Sequence, residues 1–115
     1  MNRIYHLKHW EYMIDMAYAK RRIIIDLMKA SLLKANIEPS DSFLNALVQG
    51  CVNMRTLEGV ESHLFMTFEI HNRGWKSMYD SDDKEDAIMI FHDFLRHLDK
   101  LVGALKVSLF VNREL

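Results

Sequence analysis

Six histidines are the first residues of this 115-residue chain that invite chemistry. His6 and His9 stand three apart. On the C-terminal side, Asp93 precedes His97 by four and follows His92, while Glu11 and Asp15 are four apart near the start. On a helix such intervals bring imidazole and carboxylate groups to one face, the arrangement that holds metal ions. Metal centres inside helical bundles use inward-facing ligands and a Glu-x-x-His pattern on partner helices. No Glu-x-x-His occurs here, and His6, His9, His92 and His97 fall mostly off the apolar stripes. Neither a metal nor a cofactor is expected.

Carboxylates offer a second chemistry. All-α nucleotide pyrophosphatases carry Glu-x-x-Glu and similar motifs on adjacent helices, where the oxygens hold Mg²⁺ against substrate phosphates. Glu58 and Glu61 would supply one half of such a site, and Asp82, Asp83, Glu85 and Asp86 form the nearest acidic group. Glu-x-x-Glu is also common on solvated helix faces, and the acidic group suits the N-terminus of a helix better. A Mg²⁺-dependent nucleotide hydrolase therefore ranks second. Cys51 lies between Leu47 and Met54 on an apolar stripe, where a cysteine is ordinarily inert core. The four glycines are isolated, so no phosphate-cradling loop is present.

Lys20-Arg21-Arg22, with Lys8 and Lys29, could meet a nucleic-acid backbone. Consecutive helical residues point in different directions, so only part of that cluster faces one partner. The net charge of −1 lacks the basic excess of a dedicated nucleic-acid binder. Charge is segregated, at +4 over residues 1–34 and −4 over 35–71, as when a basic helix packs beside an acidic one. Nucleic-acid binding through the first helix ranks third. Trp10, Trp75, Tyr5, Tyr12, Tyr18 and Tyr79 are more large amphipathic aromatics than a small core needs, and eight methionines accompany them. Protein interfaces favour such residues. Trp75 and Tyr79, in a connector, and Tyr5 and Tyr12, near the start, are the interface candidates, whereas Trp10 reads as core.

The elements that position these residues are helical. One proline and four glycines leave too few turns for a β fold. A first helix is predicted over 3–35, with Leu7, Trp10, Ile14, Ala17, Arg21, Ile24, Met28 and Leu32 on one stripe. Pro39 disfavours helix at Glu38, and Ser40 and Asp41 are good caps for the next element. A second helix is predicted over 42–72, striped by Leu44, Leu47, Cys51, Met54, Leu57, Glu61, Leu64 and Phe68. Gly50 and Gly59 weaken it, and a break near Gly59 would turn three helices into four. Asn72-Arg73-Gly74 is a stop signal, and Asp82 with Glu85 resembles a capping box. A third helix is predicted over 83–111, where Ile88, Phe91, Leu95, Leu98, Val102, Leu105 and Leu109 keep heptad spacing beside a second apolar stripe.

These elements predict a single all-α domain spanning 1–115, an elongated antiparallel, up-down-up bundle of three long helices. Half the residues are hydrophobic, enough for a core without disulfides, and the single cysteine permits none within the chain. No early apolar run resembles a signal peptide and no window resembles a membrane span, so no membrane association and a cytoplasmic setting are expected. Arg21 and Glu61 interrupt the core stripes. A buried charge needs a partner or a path to water: packing brings Arg21 toward Glu58, Glu61 or Asp99, and the alternative is that its alkyl stem lies on the core while the head group reaches solvent. The leading functional expectation is a non-catalytic interaction or regulatory module that binds another macromolecule, a protein partner, as a homodimer.

Overall fold

The computed structural model describes residues 6–72 and 84–114. Among these residues it is all-helical: α1 Trp10–Ala19, α2 Arg21–Lys34, α3 Asp41–Val52, α4 Leu57–Asn72 and α5 Lys84–Glu114. Tyr5, Trp75, Tyr79, Asp82 and Asp83, singled out from the sequence, lie outside the described residues. At about 1.5 Å per residue, the 31 residues of α5 span about 46 Å, which accounts for most of the 51 Å long axis. No described helix is long and apolar enough to cross a membrane.

The third expected helix is whole as α5, while the first and second are each divided in two, and both breaks have a local explanation. The first predicted helix divides at Lys20, whose φ of −137° and ψ of 59° leave the helical region. No glycine or proline is nearby, so propensity does not explain the break. Packing does: α1 and α2 both lie on α3, and the Arg21 side chain is tied to α3 from the first position of α2. The second predicted helix divides at Asn53–Thr56, ahead of Gly59. The Asn53 and Met54 N–H groups tighten onto the Gly50 and Cys51 carbonyls, ending α3. Thr56 then starts α4 by accepting the Gly59 N–H on Oγ1 at 3.0 Å.

The turn between α2 and α3 satisfies its own main chain. Asn36 takes the left-handed conformation, with φ 64°. Its N–H reaches the Leu33 carbonyl, while the Ile37 N–H reaches the Leu32 carbonyl, the pairing of a Schellman motif. Ile37 and Leu32, which that motif brings together, are both buried. Ser40 caps α3 by accepting the Phe43 N–H.

The core collects buried side chains from every described helix, with Leu7 joining from ahead of α1. The wide apolar face of α5 is core only from Phe91 to Val102; Ile88 and Val107 are exposed and Leu105 is half-buried. At one end Phe43, Phe65, Phe68, Phe91 and Phe94 make a chain of edge and stacked ring contacts, centroids 5.2–6.4 Å apart. No described buried side-chain N or O atom lacks a hydrogen-bond partner.

Phe94 is wholly buried and stacks on Phe68. Phe94→Ala is expected to cost about 3–5 kcal/mol in urea unfolding, while Val107→Ala, on the exposed part of α5, changes stability by less than about 0.5 kcal/mol.

Candidate functional site

The densest polar construction in the described structure is a clamp on residues 6–9. This short segment leads into α1 and crosses both α4 and α5. The Leu7 N–H donates to Glu61 Oε2 at 3.2 Å, and His6 Nδ1 lies 3.0 Å from Glu61 Oε1. One turn into the chain, the Lys8 and His9 N–H groups both donate to Asp99 Oδ1 at 2.9 Å. His9 is the N-cap of α1 and makes no capping bond with its own side chain. A carboxylate from α5 thus satisfies a main-chain donor that the start of a helix would otherwise leave open. It also places negative charge at the positive end of the α1 dipole.

Asp99 is 3 % exposed and the Glu61 side chain 13 % exposed. Burying a carboxylate is costly unless hydrogen bonds replace its water, and the main-chain donors of residues 7–9 do so. Leu7, 2 % exposed, pins the same segment into the core. The His9 ring fills space left by Gly103: a Cβ there would fall 2.6 Å from the ring Nε2.

Arg21 belongs to a different place. Its guanidinium donates to Gln49 Oε1 at 3.2 Å and Asn45 Oδ1 at 3.3 Å, both on α3. Among the described residues it makes no ion pair, so the anticipated partnership with Glu61, Glu58 or Asp99 is replaced by two neutral amides. Glu61 and Asp99 instead face the 6–9 segment. Two nearby side-chain amides can hold the guanidinium without stripping a carboxylate of its water, an exchange that avoids the larger desolvation cost.

Arg21 and Arg22 also line an open groove of about 510 Å³ between α2 and α3, completed by Ile25, Asp26, Asp41, Leu44 and Asn45. Two aliphatic side chains, two guanidinium groups and two carboxylates are among its lining, with Leu44 itself buried. Tyr12, an interface candidate, is half-buried with Lys106 Nζ 5.8 Å from its ring centroid, so it already has a cationic partner. Large apolar side chains elsewhere on the surface are distributed over several helices, with Tyr18 on α1, Leu33 on α2, Met66 and Ile70 on α4 and Met89 on α5. Single exposed apolar residues of this kind are ordinary.

For the hydrolase reading, Glu58 is exposed in the first turn of α4, while Glu61 points into the clamp with both oxygens engaged. The described pair therefore does not present two open carboxylates to one cation. Among the described residues no three His, Cys, Asp or Glu side chains converge on a point. Asp93 is drawn to Arg96, one turn along α5.

His63 is a residue that pattern reading passed over. Its Nε2 donates to the Ala46 and Leu47 carbonyls of α3, at 3.1 and 3.2 Å. The ring occupies the place a Cβ on Gly50 would need, with ring atoms 1.8–2.3 Å from it. Gly50 is thus a close-approach glycine that lets α4 dock on α3. Cys51, one residue on, is buried, and desolvation pushes its thiol up to about 12. No protein-family model, curated protein or solved structure matches the chain.

Two outcomes follow. Asp99→Ala strands two main-chain donors and is expected to cost about 3 kcal/mol, with faster hydrogen exchange at the Lys8 and His9 amides. Asp99→Asn keeps an acceptor oxygen and is expected to lose less than half as much. The Cys51 thiol, neutral well above the usual range, should resist thiol reagents at neutral pH until the chain unfolds. Because its folded pKa is raised from 9.0, its contribution is complete below pH 9 and is lost as pH climbs toward about 12. Cys51→Ala should flatten that alkaline decline in unfolding measurements.

Proposed function

We propose that this chain is a non-catalytic interaction module that binds a segment of a partner protein and works as a homodimer. The observation that carries the reading is the groove between α2 and α3. The half-buried Ile25 offers aliphatic carbon with the buried Leu44 behind it, Arg22 offers guanidinium donors beside the amide-bound Arg21, and Asp26 and Asp41 offer acceptors. A polypeptide segment presents apolar side chains, carbonyls and charges of both signs, and this lining matches all of them. Arginine is enriched where proteins recognise one another, and the centre of such patches is more apolar than the rim. Clustered polar groups elsewhere are engaged in holding the fold: Glu61 and Asp99 on main-chain N–H groups, His63 on α3 carbonyls.

The mixed signs around the groove also favour a protein over a nucleic acid. Asp26 and Asp41 beside Arg21 and Arg22 would repel a phosphate backbone.

Affinity capture from native cells should recover a stoichiometric protein with the wild-type chain. The charge-reversed pair Arg22→Glu with Asp26→Lys preserves net charge and touches exposed side chains only, and it should lose that protein at least tenfold. Equal recovery by both chains would remove the groove from the interaction. Mg²⁺-dependent phosphate release from nucleotides, abolished by Glu61→Gln in a chain that remains folded, would move the protein to the hydrolase class.

A further inference from the structure

The break at Lys20 joins two features that belong to one another. Ala17, Arg21, Ile24, Met28 and Leu32 keep uninterrupted helical spacing across it, and the flanking residues are good helix formers. The chain nevertheless leaves the helix for a single residue, where the Ile23 N–H donates to the Lys20 carbonyl three residues back. That one-residue hinge folds α1 back over the bundle. There Met13, Met16 and Ala17 are buried, Leu7 is seated in the core, and Glu61 and Asp99 clamp residues 7–9. If Lys20 turns helical, residues 10–34 become one rod of about 37 Å, and α1 can no longer reach that seat. The seat then presents an apolar surface and two carboxylates shaped for one segment, residues 6–19 of this same chain.

We infer that the homodimer forms by exchange: α1 and the 6–9 segment of each copy swing out at Lys20 and occupy the emptied seat of a second copy. The proposal rests on the homodimer part of the reading above and supplies its mechanism. Every contact of the seat is reused between copies, so the exchange needs no new complementary surface, and the gain is the regular helical ladder through residue 20. Short hinges between packed elements are where such exchange arises. The clamp makes the exchange specific, because only a segment that brings the Leu7 side chain together with the N–H groups of residues 7, 8 and 9 satisfies both Glu61 and Asp99.

Light scattering on the full chain, over a range of concentrations, tests the dimer, and cross-linking tests the exchange. Lys20→Ala should tighten the dimer relative to Lys20→Gly by about fivefold per hinge, and so by about 25-fold for the two hinges of a dimer. In a H9C/G103C chain the two thiols lie where the His9 ring meets Gly103, while Cys51 stays buried and unreactive. A short thiol-specific cross-linker applied to the isolated dimer fraction is expected to give covalent dimers on a denaturing gel, and applied to the monomer only internal links. A dimer that yields only internal links would overturn the exchange while leaving the homodimer standing. Wild-type and Lys20→Ala chains that stay monomeric at every concentration would overturn both.

Discussion

A single buried carboxylate sets how the start of the fold is attached to the rest. Asp99 sits on the core side of α5, almost out of reach of solvent, and a charge there is tolerable only with donors around it. The Lys8 and His9 N–H groups are such donors, at 2.9 Å. Their need is reciprocal, since the beginning of α1 has main-chain donors without helical partners. One interaction thus meets two requirements and fixes where α1 begins. It also brings Leu7 to its seat and leaves Glu61 facing the Leu7 N–H. Moving the start of α1 by one residue would break both carboxylate contacts, so the register of the first helix against α4 and α5 is tightly specified.

Two glycines then set how closely the layers approach. At Gly50 the His63 ring fills the missing side-chain volume and ties α4 to the carbonyls of α3. At Gly103 the His9 ring fills the missing side-chain volume between the start of α1 and α5. Each glycine weakens its own helix by roughly 1 kcal/mol against alanine, and the loss is offset by packing that no larger residue allows. The His63 and His9 rings thus serve as wedges between helices, His63 with its Nε2 bonded to two α3 carbonyls.

Much of the core was readable as periodicity. Ile24, Met28 and Leu32 on α2, Leu44, Leu47 and Cys51 on α3, and Phe91, Leu95, Leu98 and Val102 on α5 are buried as their spacing requires. The caps at Ser40 and the turn at Asn36 follow from residue type. The break at Lys20 was not readable, because no breaker marks it and tertiary packing overrides a good local propensity. The clamp was half readable. Glu61 and Asp99 stood out as charges in apolar positions, but their partners are main-chain N–H groups, which every residue except proline carries and which leave no signature in the sequence. The partners of Arg21 are hidden for a related reason: the side-chain amides of Asn45 and Gln49 carry no charge, so no charge pattern points to them.

Hydrogen-bond accounting therefore bears on function. A catalytic site needs polar groups held in place yet open toward a substrate. In the described structure the buried polar side chains are satisfied by the protein itself. Ser31 is turned back on the Leu27 carbonyl, and Cys51 is neutral and desolvated. Open polar chemistry is left at the surface, and at the groove between α2 and α3 it is bipolar and set beside aliphatic carbon. The interior polarity of the described residues is thus spent on the architecture of the fold itself. What holds α1 on that interior is main-chain geometry and buried carbon: the N–H groups of residues 7–9 on Glu61 and Asp99, and Leu7, Met13, Met16 and Ala17 in the core.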